Sequence, residues 1–260
     1  MDRTYWHRQE PGQPLYADLL WSRPENKQHA GKLLVVGGSS HGFAAPAEAY
    51  GESTKAGVGL TRVLLPWSVK KMLPPGLLGM EFVPETPSGS FAGSALAELL
   101  DASAWADATI LAGDFGRNSE TAILLEKFLQ KYHGRLTLVQ DAVDYFIKDA
   151  SHVLARPETT LVLNMSQLQK LAVQAKFITA FTSQMDFLLI IDALHEFSKL
   201  HAANIILEHN QTVFVAVNGE VSTTKQADDA DHTIKIAAHA AVWGLQNPTK
   251  QFEALTTSIV

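Results

Sequence analysis

The stretch "KQADDADHTIKIAAHAAVWG", Lys225 to Gly244, places three carboxylates, Asp228, Asp229 and Asp231, just ahead of a helical pattern. Ile234, Ala237, Ala238, Ala241, Val242 and Leu245 recur at i, i+3, i+4, i+7, i+8 and i+11, which is one buried stripe. The free N–H groups of a helix start make a ready anion site. Glycines usually stand there so that backbone can touch a phosphate, whereas this loop carries acids and no glycine. A like charge at about 4 Å in a medium of effective dielectric near 20 costs roughly 4 kcal/mol before relaxation. Three readings are open. The acids could hold a divalent ion through water. Asp231 could act as a general base. Or Asp228 or Asp229 caps an ordinary helix, with Asp231 favoured by the helix dipole.

A second stretch, "GGSSHG" (Gly37–Gly42), follows an apolar run. It lacks both the G-x-G-x-x-G spacing and the lysine of a P-loop, so on its own it reads as a tight turn. Ser39 and His41 do not sit in a G-x-S-x-G elbow, which argues against a hydrolase triad. His232 and His239 are seven residues apart, about 10 Å along a helix, too far to share a metal unaided. No metal site is expected from the histidines.

The elements that must position these groups alternate. "KLLVVGG" (Lys32–Gly38) reads as a buried strand entering a glycine turn, followed by a small-residue helix over Phe43–Lys55 and a strand over Thr61–Pro66. "ATILAG" (Ala108–Gly113) is a strand, with a helix from Ser119 to about Tyr132. Leu136–Val139 and Thr160–Leu163 are strands, and helices are expected near Ser166–Ala180 and over 184–202. "NIILE" (Asn204–Glu208) is a strand, and "TVFVAVNGEVSTT" alternates about Asn218-Gly219, a type I′ hairpin signal. The expectation is an α/β fold with a mainly parallel central sheet, helices on both faces and a C-terminal antiparallel hairpin. One domain is expected over 1–260, with residues 1–31 as an irregular arm. In such sheets ligands bind at the carboxyl ends of strands.

At 260 residues and 46% hydrophobic, the chain can bury one large core. A net charge of −6 with no basic stripe argues against a nucleic-acid partner. The absence of cysteine excludes a thiolate nucleophile, a disulfide framework and a zinc–thiolate site. No apolar run approaches the roughly 20 residues that cross a bilayer, and Met1–Glu10 has no apolar signal core. A cytoplasmic homo-oligomer without a membrane partner is expected.

The order of elements, with "AGKLLVVGGSSHGFAAPAEAYGESTKAGVGLTRVLLP" (Ala30–Pro66), resembles the ADP- or ATP-dependent NAD(P)H-hydrate dehydratases, whose fold is ribokinase-like. "DATILAGDFGRN" is similar to that family's "D-v-v-x-I-G-P-G-L-G" turn, "LVQDAVDYF" to its "D-A-D-A-L" strand end, and "RPETTLVLNMSQLQKL" to the segment carrying "T-P-H-P-G-E". "NIILEHNQTVFVAVNG" resembles "V-L-K-G-x-x-T-x-I", and the loop before Thr233 falls on the "G-x-G-D" helix start. The resemblance spans roughly residues 23–250, with its most specific motifs in the first third.

The resemblance implies a nucleotide-dependent lyase that phosphorylates and then eliminates the hydroxyl of a hydrated nicotinamide ring. It implies a dinucleotide substrate, ADP or ATP as co-substrate, and Mg2+. Asp231 would be the catalytic base. Ala45, Gly116, Asp141 and Ser166 would bind substrate, and Glu208, Thr212 and Ala230 would lie at the nucleotide. The chain departs from the motifs at several points. Asp114 stands where a glycine is expected, and Val143 replaces the second acid of "D-A-D". Asn164, Met165 and Ser166 replace Thr, Pro and His, Glu208 replaces a lysine, and Ala230 replaces a glycine. Turnover is therefore expected to be weak or absent. The alternatives are a non-catalytic nucleotide- or dinucleotide-binding homologue and a small-molecule kinase of the same superfamily.

Overall fold

The computed structural model describes residues 3–74, 76, 79–227 and 232–260. In chain order the strands are β1 (Trp6–Gln9), β2 (Lys32–Gly37), β3 (Leu60–Pro66), β4 (Met80–Val83), β5 (Ala108–Gly113), β6 (Arg135–Val139), β7 (Thr159–Asn164), β8 (Asn204–His209), β9 (Thr212–Val217) and β10 (Glu220–Lys225). The helices are α1 (Asp18–Trp21), α2 (Ala44–Lys55), α3 (Trp67–Lys70), α4 (Leu96–Trp105), α5 (Ser119–Lys131), α6 (Asp141–Phe146), α7 (Ala150–Ala155), α8 (Met165–Gln174), α9 (Phe187–Leu200), α10 (Thr233–Gln246) and α11 (Gln251–Thr257).

Among the described residues the strands form one ten-stranded sheet in the order β1-β10-β9-β8-β7-β6-β5-β2-β3-β4. Only β9 runs against its neighbours, pairing antiparallel with both β8 and β10. The central strands are apolar along their whole length because both faces are covered, as parallel sheets require. On one face Leu34, Leu111, Leu138 and Leu163 pack under α4 to α9. On the other, Val35, Ile110, Val139 and Val162 pack under α2, α3, α10 and α11. Alternation along each strand divides the two layers.

The hairpin turns at Asn218 (φ 50°) and Gly219 (φ 90°), the two left-handed positions that a type I′ turn demands. α8 stops at Gln174, short of the 180 expected, because Lys176 turns left-handed (φ 56°) and Phe177 and Phe181 leave the helix to stack against each other.

Within the stretch expected as an irregular arm, the described residues include a strand and a short helix. β1 pairs in parallel with β10, Trp6 against Val221 through Gln9 against Thr224, and forms a sheet edge. Its sequence, Trp-His-Arg-Gln, reads as polar because an edge strand keeps one side open to solvent. Buried Gln9 donates to the Thr224 hydroxyl (3.1 Å) and the Thr256 carbonyl (2.7 Å), which ties the two ends of the chain together. Arg3 makes a two-pronged contact with Asp192 of α9 (2.6 and 2.9 Å), and Tyr5 stacks on His195 with ring centroids 3.6 Å apart.

Gly219→Ala tests the hairpin. A Cβ there would enter a left-handed backbone and crowd Lys199 of α9. The expected cost is about 1–2 kcal/mol, a fall in melting temperature of roughly 3–8 °C, read by thermal denaturation.

Candidate functional site

The chain runs from β2 outward to β3 and β4, then returns to β5 and continues the other way. The carboxyl ends of β2 and β5 therefore flank the topological switch point, where open α/β sheets bind ligands. Two glycines set this junction. A Cβ on Gly37 would run into the Gly113 carbonyl. The same carbonyl accepts the Gly38 N–H at 2.9 Å. Beyond β5 the chain makes a turn with left-handed residues at Gly113 (φ 117°), Asp114 (φ 59°) and Gly116 (φ 72°). Fully buried Phe115 pins the turn between Phe91 and Tyr145, at centroid distances of 5.4 and 6.3 Å.

The next strand end carries the acid. Gln140 holds φ 53° and ψ −134°, a conformation that a non-glycine residue rarely adopts. It is held there by Gln167 of α8, whose amide donates to the Gln140 carbonyl at 2.8 Å. The strained residue delivers Asp141 as the first residue of α6. The Gly116 N–H donates to Asp141 Oδ2 at 3.2 Å, while Oδ1 is buried with no hydrogen-bond partner among the described residues. Burial pushes the Asp141 carboxyl up to about 6 from an ordinary value near 3.8. The Gly116 N–H acts against that rise, and the neighbouring Asp114 charge adds to it.

Asp141, Gly116, Arg117, Asn118, Asp144 and Tyr145 line one cavity of about 520 Å³. The Tyr145 hydroxyl donates to the Gly116 carbonyl and accepts the Asn118 N–H at 3.4 Å. Asn118 donates to Ser88 Oγ at 2.8 Å. Ser40 donates to the Ser88 carbonyl at 2.7 Å and lies 2.9 Å from His41 Nδ1. Its own N–H is held by the Gly89 carbonyl at 2.8 Å. The segment at 85–91, closed by the Glu85–Phe91 bridge, is thus bound to the "GGSSHG" turn. The lining combines a cation, Arg117, two carboxyls, Asp141 and Asp144, the Asn118 amide and the Tyr145 hydroxyl.

Three helix starts at this edge, those of α2, α5 and α8, are already occupied, whereas among the described residues α6 and α10 carry no side-chain cap. Asp114 accepts the Ala45 N–H of α2 at 2.8 Å. Asn118 caps α5 through the Glu120 and Thr121 N–H groups (2.8 and 3.2 Å). Asn164 and Gln167 form a capping box on α8. Each cap spends the N–H donors that would otherwise meet a bound anion.

No protein-family model matches the sequence, and no curated protein matches it. Solved structures do match in shape. A ribokinase-like superfamily protein from Enterococcus faecalis V583 superposes with a TM-score of 0.73 at 15% identity, covering 100% of this chain and 86% of that one. The fold is ribokinase-like.

The same ribokinase-like frame relates the chain to two further structures. An ADP/ATP-dependent NAD(P)H-hydrate dehydratase from Bacillus subtilis, co-crystallized with ATP/Mg2+, gives a TM-score of 0.57 at 11% identity over 90% of this chain and 79% of that one. The pyridoxal kinase from Staphylococcus aureus in complex with AMP-PCP gives 0.55 at 13% identity over 88% and 85%.

In this ribokinase-like frame, Gly116 and Asp141 share the cavity. Ala45 is buried, with its N–H bonded to Asp114, and is not among the residues lining the cavity. Ser166 lies in the exposed first turn of α8, at the neighbouring strand end, and is not among the residues lining the cavity. Glu208 pairs with Asn164 at the end of β8, and buried Thr212 opens β9 at the same edge. Ala230 and Asp231, with Asp228 and Asp229, lie outside the described residues. Sequence reasoning missed Asn118, Tyr145 and Ser88. Asn118 was signalled as a helix cap by "N-S-E-T", and Tyr145 by its i+4 spacing from Asp141. Ser88 carries no local signal. Among the described residues no group of three or more His, Asp or Glu is placed to hold a metal, and no helix is long and apolar enough to cross a membrane.

Asp141 should be a stability cost. A carboxyl raised in the folded state destabilises it when ionised, so the cost is full above the folded value and disappears below the unfolded one. Asp141→Asn keeps an acceptor for Gly116. It should raise stability by about 2 kcal/mol above pH ~6, a melting-temperature gain of roughly 4–8 °C, and by nothing near pH ~4. Melts across that pH range check it, and a pH-independent effect would contradict it.

Proposed function

We propose that this chain is a NAD(P)H-hydrate dehydratase-like protein in which nucleotide-dependent turnover is weak or lost. The switch-point cleft takes the nicotinamide end of a dinucleotide, and an adenine nucleotide binds further along the same sheet edge. The observation that carries this reading is the cleft itself. A buried carboxyl, Asp141, shares a cavity with Arg117, Asn118, Asp144 and Tyr145 at the carboxyl end of a ribokinase-like sheet. An amide-bearing ring can donate to the exposed Asp144 carboxylate and accept from Arg117, both of which line the cavity. The likeness to a dehydratase co-crystallized with ATP/Mg2+ and to a kinase bound to AMP-PCP supports a nucleotide on this edge.

Weak turnover follows from what surrounds the site. Phosphoryl transfer needs donors and cations on the developing charge. Here the helix starts of α2, α5 and α8 are filled by the protein's own side chains. Glu208 stands where the resemblance expects a lysine, and Ala230 where it expects a glycine. Loss of one oxyanion-type donor costs about 10²–10³ in rate. Two such losses would take a typical turnover of about 10 s⁻¹ to roughly 10⁻³ s⁻¹ or below, with the usual departure from additivity. In this reading Asp231 keeps the position of the base without the donors that make it effective, and the chain serves as a binder of the dinucleotide more than as a lyase. Mg2+ would accompany the nucleotide as in the dehydratase crystal.

The test is to mix the purified chain with hydrated NADPH, ADP or ATP, and Mg2+, and follow the return of nicotinamide absorbance. The expected result is no restoration above background, with thermal stabilisation by the dinucleotide that Asp141→Ala removes. Restoration at an ordinary enzymatic rate, abolished by Asp231→Asn, would make the chain an active dehydratase and overturn the weak-turnover reading.

A further inference from the structure

Trp6, Arg8, Gln9, Phe187, Thr212, Thr223 and Lys225 line a second cavity, of about 380 Å³. It lies at the carboxyl edge of the sheet, beyond β7 and β8 from the Asp141 cleft. At about 4.8 Å per strand, β6 and β9 stand roughly 14 Å apart.

The strand register explains why these residues meet. Trp6 pairs with Val221 and Arg8 with Thr223. Thr223 pairs with Phe214 and Lys225 with Thr212. Paired side chains share a face, so Trp6, Arg8, Thr223, Lys225, Phe214 and Thr212 all project to the side that α9 covers. Phe187, the first residue of α9, closes the inner wall. Its ring lies 5.8 Å from Trp6 and 5.5 Å from Phe214. The Trp6 indole N–H donates to Thr223 Oγ1 at 3.0 Å, which fixes the plane of the ring. Arg8 and Lys225 rise at the open end. Both are exposed, and Arg8 is held in place by Glu10 at 3.0 Å.

The combination is specific. A fixed indole beside a phenyl ring offers a stacking surface for a planar base. Two cations at the mouth offer charge for phosphates, in a chain whose net charge is −6. The starts of α2, α5 and α8 are self-capped, and at this cavity the charge is supplied by side chains.

We propose that this cavity is a nucleoside-phosphate site in which the N-terminal strand supplies both the stacking ring, Trp6, and one of the two phosphate cations, Arg8, with Lys225 as the other. The proposal rests on the two-ligand reading above and gives the nucleotide its place. Lys225 then takes over the charge that Glu208 no longer provides. The N-terminal segment becomes part of a ligand site and not only a sheet edge. The bland alternative is that Arg8 and Lys225 keep an edge strand from pairing with another chain.

The experiment titrates the full chain with ADP, ATP and inorganic pyrophosphate at low ionic strength, following tryptophan fluorescence and calorimetry. It compares wild type with Trp6→Phe, Arg8→Glu, Lys225→Glu and the double charge variant. Both cations are exposed, so these variants should melt like wild type. The expected result is an ADP-dependent fluorescence change that Trp6→Phe abolishes, and affinity about tenfold weaker in each charge variant. ADP binding equally to wild type and the double variant would overturn this site and leave the two-ligand reading standing. No binding of either nucleotide at millimolar concentration would overturn both. Pyrophosphate binding as tightly as ADP, without a fluorescence change, would overturn the nucleoside class. A double variant that associates with itself and binds ADP unchanged would reduce the cations to edge protection.

Discussion

The contact between Gly37 and Gly113 is the constraint on which the candidate site depends. The two neighbouring parallel strands end so close together that a Cβ on Gly37 would meet the Gly113 carbonyl, while one on Gly113 would meet Gln140 and Asp141. The Gly113 carbonyl, freed from the regular ladder, accepts the Gly38 N–H instead of a strand partner. The register between β2 and β5 shifts at this point. A glycine turn follows each strand, and the Asp141 cleft lies beside the second of them, at the ends of β5 and β6.

Asp114 shows how a non-glycine residue can be accommodated in a left-handed turn. A left-handed backbone there disfavours any residue but glycine, though Asp is among the more tolerant. The offset is the bond from its carboxylate to the Ala45 N–H, which satisfies one of the orphan donors of α2. The same bond puts a negative charge at the helix start, beside Asp141. Asp114 therefore keeps the shape of the turn, raises the proton affinity of the neighbouring acid and satisfies a helix start. Arg8 and Lys225 lie at the far end of the same edge.

The termini bind this arrangement together. Gln9 bridges β10 and α11, and Arg3 and Tyr5 fasten the N-terminal strand to α9. α2 and α10 are joined across the other face by Glu52 and His239 at 3.2 Å. Burial lowers the proton affinity of His239 despite that partner. The ends of the chain therefore contribute to the layer that carries the second cavity, and the helix pair α2–α10 packs on the opposite face of the sheet.

The sequence by itself determined the central sheet. Runs such as "KLLVVG" and "ATILAG" match the observed strands because a strand buried on both faces must be apolar throughout and glycine marks its end. The Asn218-Gly219 hairpin was equally legible, since few residue pairs accept two left-handed positions in a row. Gly116 and Asp141 were legible as site candidates through the resemblance of their motifs. What the sequence could not determine was anything that depends on distant pairing. β1 reads as a polar arm until β10, more than two hundred residues later, supplies its hydrogen bonds. The meeting of Trp6 and Arg8 with Lys225 has no local signature for the same reason. The cap of Asp114 on α2 and the tie of Asn118 to Ser88 join residues 69 and 30 positions apart. Tertiary structure decided these because a side-chain hydrogen bond or a shared cavity is set by where strands end in space. Local periodicity reports only which face of an element is buried.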